Sequence, residues 1–310
     1  MQILLVDADS KEGFANLALM KMSAWLKEIN NGNLKIDLIK GIPSTAPLEP
    51  YDKTYISTIF FQNRDKVLDY ANQIENVEIG GSGWDLHTTL PDSIEHIMPD
   101  YSLYGYDYSM GFTSRGCIRN CGFCIVPEKE GMICDNAQIY EFHDPEHKKI
   151  MLLDNNFQAS PNWYKNLEYI IHHKLKVNFN QGLDIRTLDA NFTNMLRKTK
   201  YYSQSFKTRG LHFAFDDLRY EKQLRRGIDI LLKMGIPPKH LMFYVLVGYN
   251  TSYTDDLKRI DILLEYDTKP YIMRYNQTKD KRLTALARYY NRMYYEFIER
   301  DQYNNGVLNK

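Results

Sequence analysis

Residues 111–131 read GFTSRGCIRNCGFCIVPEKEG and hold three of the four cysteines, Cys117, Cys121 and Cys124, in a C-x3-C-x2-C run. Three thiolates this close in sequence can converge on one metal centre. Iron–sulfur clusters are held by cysteine thiolates, usually four. A triplet leaves one iron of a cubane without a protein ligand. Such an iron can take a substrate or cofactor, as the open position of a catalytic zinc site does. Two plainer readings use the same residues: a zinc knuckle short of one ligand, or cysteines packed as small hydrophobes. A structural zinc site asks for a second close cysteine pair, and there is none; Cys134 stands alone, ten residues past the triplet. A second full cluster would need further thiolates that the chain lacks.

Outward from this stretch, short apolar runs alternate with helical patterns. The runs at 109–113, 150–153, 177–179, 211–215, 242–247 and 271–274 are predicted strands. Between them, Leu224, Ile228 and Leu231 share one helical face, with Gly235 as the C-cap, and Tyr253, Leu257, Ile260 and Leu264 share another. The last helix is predicted over 281–300, with Leu283, Leu286, Tyr290, Met293 and Phe297 inward. Six βα units predict a partial TIM-like (β/α)6 barrel over 109–278, followed by a C-terminal helical segment over 279–310. Chemistry in such barrels belongs at the carboxyl ends of the strands.

Those ends are polar. Residues 150–157 read IMLLDNNF, so an apolar run stops at Asp154, Asn155 and Asn156, which suits a charged amine; a strand-to-helix turn with a capping residue is the plainer reading. Residues 178–186 read NFNQGLDIR and bring Gln181, Asp184 and Arg186 to the next end. Arginine offers a fork to a carboxylate and aspartate can take a ribose diol; alternatively the two form an ion pair that shapes the loop. Asp216-Asp217 can face substrate or start a helix. Gly248 allows close backbone approach after the fifth strand, and Arg274 ends the sixth.

Upstream, 3–6, 36–39, 55–61 and 77–79 are predicted strands and 14–29 and 64–74 helices, a small Rossmann-like α/β domain over 1–87. A linker rich in proline, aspartate and tyrosine follows over 88–108. The composition, 44% hydrophobic and 25% charged, is that of ordinary soluble domains. No apolar run approaches a membrane span, so no membrane partner is expected. The N-terminus lacks a basic region before its apolar run, and clustered cysteines without disulfide spacing fit a reducing compartment, so a cytoplasmic location is expected. The 39 basic and 39 acidic residues cancel, which leaves no global electrostatic case for nucleic acid. Basic residues and tyrosines after Lys279 could stack on RNA, or form a solvated helix face.

The triplet, with the aromatic Phe123 just before its last cysteine, resembles the motif of the radical S-adenosylmethionine (radical SAM) superfamily. The resemblance implies that Cys117, Cys121 and Cys124 hold a 4Fe-4S cluster and that S-adenosylmethionine fills the open iron. It further implies reductive cleavage to a 5′-deoxyadenosyl radical, an electron donor such as flavodoxin or ferredoxin, and cofactor contacts from Phe123, Asp154, Asn155, Asn156, Gln181, Asp184, Arg186 and Gly248. At 154–157 the superfamily's Gly-Gly-Glu is absent, and the segment is closer to the Asp-Asp-x-Phe of cobalamin-type members. Residues 1–87 resemble their cobalamin-binding domain: Ser57-Thr58-Ile59 stands for its Ser-x-Leu and Gly80-Gly81 for its Gly-Gly. Asp9 stands where that family has its cobalt-ligating histidine, and Glu12 where it has a glycine. Cobalamin binding and a scaffold without cofactor both remain open. The contrasting function class is a non-catalytic metal- or nucleic-acid-binding module with a zinc or structural iron–sulfur site.

Overall fold

The computed structural model describes residues 1–10, 14–277, 279–303 and 308. Glu12 lies outside the described residues. The protein is mixed α/β with parallel sheets and divides into two compact units, Met1–Asn120 with Cys124–Met151, and Leu152–Lys310 with Cys121–Phe123.

The first unit opens with β1 (Gln2–Asp7), α1 (Leu17–Ile29), β2 (Lys35–Lys40), β3 (Lys53–Ser57), α2 (Arg64–Ala71) and β4 (Val77–Gly80). All four strands are parallel, in the order β2-β1-β3-β4. Alternate residues of β1 feed opposite faces. Ile3 and Leu5 pack with Leu19 and Leu26 of α1, whereas Leu4 and Val6 pack with Val67, Tyr70 and Ala71 of α2. A strand buried on both faces explains the unbroken apolar run at 3–6. The chain leaves β1 for β2 on one side and pairs β3 on the other. The crevice at the carboxyl ends of β1 and β3 is therefore a topological switch point, where ligands bind in open α/β sheets.

The unit continues through α3 (Asp92–Glu95), β5 (Ser109–Gly111), β6 (Ser114–Arg115), α4 (Val126–Lys129), β7 (Cys134–Asp135), α5 (Ile139–Phe142) and most of β8 (Lys149–Leu152), which lies beside β5. The segment predicted as a linker is packed. Tyr104 donates a hydrogen bond to Asp7 (2.7 Å), Tyr108 accepts one from the Ala15 amide (3.2 Å), and Asp100 pairs with Lys27 and Ser23. Tyr104 and Tyr108 bury their rings and satisfy their hydroxyls, as buried tyrosines must.

The second unit runs through α6 (Trp163–His172), β9 (Lys176–Phe179), α7 (Ala190–Lys198), β10 (Lys200–Tyr201), β11 (Leu211–Ala214), α8 (Glu221–Lys233), β12 (Leu241–Val247), α9 (Tyr253–Leu264), β13 (Lys269–Arg274) and α10 (Lys281–Asn291). β9 pairs in parallel with β10, and β11, β12 and β13 form a parallel sheet. The Leu183 amide donates to the His212 carbonyl (2.8 Å), which links the end of β9 to β11. No closed barrel forms among the described residues. No helix among them is long and apolar enough to cross a membrane.

Leu224, Ile228 and Leu231 are fully buried, and Gly235 takes φ +82° just past α8. Two predicted faces differ. On α9 the buried face carries Asp256 and Arg259 beside Ile260, because an ion pair is buried there. The predicted helix over 281–300 stops at Asn291, and Met293 takes φ +57° before a short 3-10 turn at Tyr294–Glu296. Leu283, Leu286 and Tyr290 are inward as predicted, but Met293 and Phe297 are exposed, because the helix ends before them and the left-handed Met293 and the turn carry both off the helical face.

Candidate functional site: a cysteine loop and polar strand ends

The cysteine loop is entered through β6 and left through β7, a separate two-residue antiparallel pair with Ser114 opposite Asp135 and Arg115 opposite Cys134. Just inside it Gly116 takes φ +79°, and a Cβ there would stand 2.3 Å from the Met132 carbonyl oxygen, so only glycine fits. The Cys117 amide then donates to the Gly131 carbonyl (3.2 Å). No disulfide joins any of the four cysteines; Cys117 and Cys121 are half-buried and Cys124 and Cys134 exposed. The Arg119 amide donates to Cys117 Sγ (3.4 Å) and the Val126 amide to Cys124 Sγ (3.5 Å). Hydrogen bonds to sulfur are among the features that set an iron–sulfur potential. The donor set fits a thiolate-held cluster, although no three His, Cys, Asp or Glu side chains among the described residues are gathered as a metal site. Ile118, Ile125 and Met132 are exposed apolar residues of the same loop.

Beneath the loop lies a charge network that sequence reasoning missed. Arg115 Nη2 meets Glu95 Oε1 (2.6 Å), Nη1 meets Glu130 (3.3 Å) and Nε donates to Asn136 Oδ1 (3.1 Å), while its plane covers the Phe112 ring (4.1 Å). The nearly fully buried Lys21 completes it, 3.1 Å from Glu95 Oε1. Burial alone would raise the pKa of Glu95, but Arg115 and Lys21 outweigh it and hold the carboxyl below its ordinary value. Burial pushes Lys21 down. The only sequence signal is an arginine two residues before Cys117; its partners are too far along the chain to infer.

In the second unit, Cys121–Phe123 pack on the residue after Gly248. A Cβ on Gly122 would stand 2.5 Å from Tyr249 Oη, and the Phe123 and Tyr249 rings meet edge to face with centroids 5.4 Å apart. Gly248 is exposed with φ +77°. At the end of β8, Asp154 and Asn156 are buried and Asn155 is half-buried. The Asn180 amide donates to the Leu152 carbonyl (2.9 Å), which sets the ends of β8 and β9 side by side. Gln181 is exposed. Asp184 and Arg186 form a forked ion pair (2.6 and 3.0 Å), the plainer of the two readings of these residues. Gln158 clamps both sides of Asp184's backbone, donating to its carbonyl (2.6 Å) and accepting from its amide (3.1 Å). Burial opposes charge on Arg186, but Asp184, and more weakly the charge of Cys121, hold its pKa above the ordinary value.

At the end of β11, Asp217 caps the next turn by accepting from the Arg219 amide (2.8 Å), as a helix-start residue should. Asp216 instead accepts from the Leu246 amide (2.9 Å), and burial raises its pKa. Fully buried Arg259 donates to the carbonyls of Phe215 (2.7 Å) and Leu246 (2.8 Å), tying the ends of β11 and β12 together.

The switch-point crevice of the first sheet uses its own groups. The Asp9 carboxylate accepts from the Ile59 and Phe60 amides and from Asn63 Nδ2. Ser57 Oγ accepts from Asn16 Nδ2 (2.9 Å). Gly81 takes φ +97°, and a Cβ there would stand 2.2 Å from the Thr58 carbonyl oxygen; one on Gly80 would meet open space. The need for glycine at 81 is thus explained by the chain's own backbone. Neither a protein-family model nor a curated protein matches the chain.

Proposed function

We propose that the chain is a radical SAM enzyme. The observation that carries this reading is the C-x3-C-x2-C triplet with Phe123, on a glycine-shaped loop with amides aimed at Cys117 and Cys124. Cys117, Cys121 and Cys124 would hold a 4Fe-4S cluster. When bound, the cluster supplies the electron for reductive cleavage of S-adenosylmethionine. The parallel strands β9, β11, β12 and β13, each followed by a helix, turn or strand partner, are read as part of a (β/α) barrel. This is supported by the hydrogen bond from Leu183 to His212.

The chain's own residues would bind and orient. Asp154, Asn155 and Asn156 offer acceptors to the methionyl amine. Arg186 Nε and Nη2 are committed to Asp184, and its Nη1, without a hydrogen bond among the described residues, is offered to the carboxylate. The exposed Gly248 lets the adenine approach backbone beside Tyr249. No step of this reading uses cobalamin; Asp9 and Ser57 meet groups of the chain itself, and Gly81 meets the Thr58 backbone. The test is anaerobic reconstitution with iron and sulfide followed by turnover with S-adenosylmethionine and dithionite. A brown protein with about four irons and four sulfides that forms 5′-deoxyadenosine is expected. A colourless protein that retains zinc and forms none would overturn the reading and favour a non-catalytic metal-binding module.

A further inference from the structure

We infer that Arg115 closes the cysteine loop, a positioning residue for Cys117 and Cys124 that acts before any metal is bound. Its relevance to a cluster rests on the radical SAM reading; the closure itself does not. Arg115 lies two residues before Cys117, Glu130 lies six past Cys124, and Asn136 just beyond β7. One guanidinium therefore ties the entering leg of the loop to its returning leg at two places, through Nη1 and Nε. Its third nitrogen, Nη2, reaches Glu95 of α3. Glu95 is fixed in turn by Lys21 of α1, whose Nζ also donates to the Glu95 carbonyl (2.5 Å). The loop is thus anchored to α1 and α3 within the same unit.

The remaining closures are short. β6 and β7 pair over two residues only, and isolated short pairs are marginal in water. The amides that extend the closure, Asn136 to the Thr113 carbonyl (3.0 Å) and Cys117 to the Gly131 carbonyl (3.2 Å), flank Arg115 on both sides. Removing the guanidinium would leave Glu130 without this cation and would release the two legs. Lysine replaces the planar fork by one ammonium, whose donors diverge from a single nitrogen and do not reproduce the fork's separate reach to Glu95, Glu130 and Asn136, so it should not replace the fork.

The experiment uses the full-length metal-free chain. Hydrogen exchange is followed in the parent, Arg115→Met and Arg115→Lys proteins. Each is then reconstituted anaerobically with ferrous iron and sulfide for metal analysis and for paramagnetic resonance of the dithionite-reduced state. In both variants, peptides covering 112–118 and 131–137 should exchange about tenfold faster or more, while peptides covering β1 and β3 keep the parent rate. Iron per chain should fall to about half or less of the parent value, with a broadened resonance from the cluster that remains. Parent-like exchange at both segments in Arg115→Met would overturn the inference, and so would full restoration by lysine. If the parent itself takes up no iron, the radical SAM reading fails, and the exchange comparison still decides the closure.

Discussion

Two loops of the first unit leave the carboxyl end of a strand and use their polar groups in opposite ways. After β1 and β3 the chain consumes what it presents. Asp9 takes two amides and a side-chain amide of the β3–α2 connection, Ser57 takes Asn16, and Gly81 exists to let its backbone meet Thr58. After β5 the chain does the reverse. Its charges lie at the base, where Arg115 meets Glu95 and Glu130, while the Cys117 side chain is half-buried and that of Cys124 exposed. The first loop satisfies its own backbone. The second places its strong interactions at the base of the loop that carries the thiols, the arrangement that the radical SAM proposal rests on.

The largest effect should come from the thiols. Replacing Cys117, Cys121 or Cys124 singly by alanine should lower iron from about four per chain to less than about one and abolish 5′-deoxyadenosine formation. Cys134→Ala should change neither, because Cys134 belongs to the base of the loop, opposite Arg115 in the β6–β7 pair. Iron analysis and chromatography of the nucleoside measure both. Loss of iron in Cys134→Ala would break the contrast between a binding rim and a structural base.

Next comes the glycine that the first loop keeps for itself. Gly81→Val places a side chain against the Thr58 carbonyl at a positive φ, and should cost about 2–4 kcal/mol of stability. Gly80→Ala, facing open space, should stay within about 1 kcal/mol of the parent. Urea unfolding with and without hydroxocobalamin measures both. A Gly81→Val chain as stable as the parent would show that the first loop does not need this glycine for its own backbone, and the comparison would have to be redrawn.

Much of this was legible in the sequence, and the part that was not has a physical cause. The apolar runs at 3–6, 150–153 and 242–247 are found as Gln2–Asp7, Lys149–Leu152 and Leu241–Val247. Continuous apolar runs that stop at polar residues mark buried parallel strands and their functional ends together. The cysteine spacing named the loop. What held the loop was invisible, because the partners of Arg115 come from α3 and from beyond Cys124, and no local pattern pairs residues so far apart. The Asp256–Arg259 pair could be read as an i,i+3 contact on α9. Its full burial could not, because apolar periodicity ranks charged residues outward and moved the predicted face to Leu257 and Leu264. The end of α10 was hidden for a similar reason: Met293 has no breaker's identity, yet adopts the left-handed region.

The smallest effect tests whether the first loop is finished. Asp7 ends β1 almost fully buried, and its carboxylate accepts from Tyr104. Burial raises its pKa, the Tyr104 hydrogen bond and other local bonds only partly offset this, and the carboxyl of Asp9 adds to the rise. A raised carboxyl pKa means that the folded chain binds the proton more tightly than the unfolded one. Stability therefore falls as pH rises from the ordinary value of 3.8 through the folded value, and the penalty is present in full at neutral pH. Asp7→Asn removes the buried charge but keeps an oxygen to accept from Tyr104. It should therefore be modestly more stable than the parent at pH 7, with the difference closing as the pH is lowered past 3.8. Unfolding midpoints across pH measure this. A variant less stable than the parent at neutral pH would mean that the charge on Asp7 is compensated by the fold. The crevice at β1 and β3 would then be as self-contained as its other groups indicate. A stabilised variant would leave Asp7, among the described residues of that switch point, as a group held against its own solvation, and the first place to look for a ligand there.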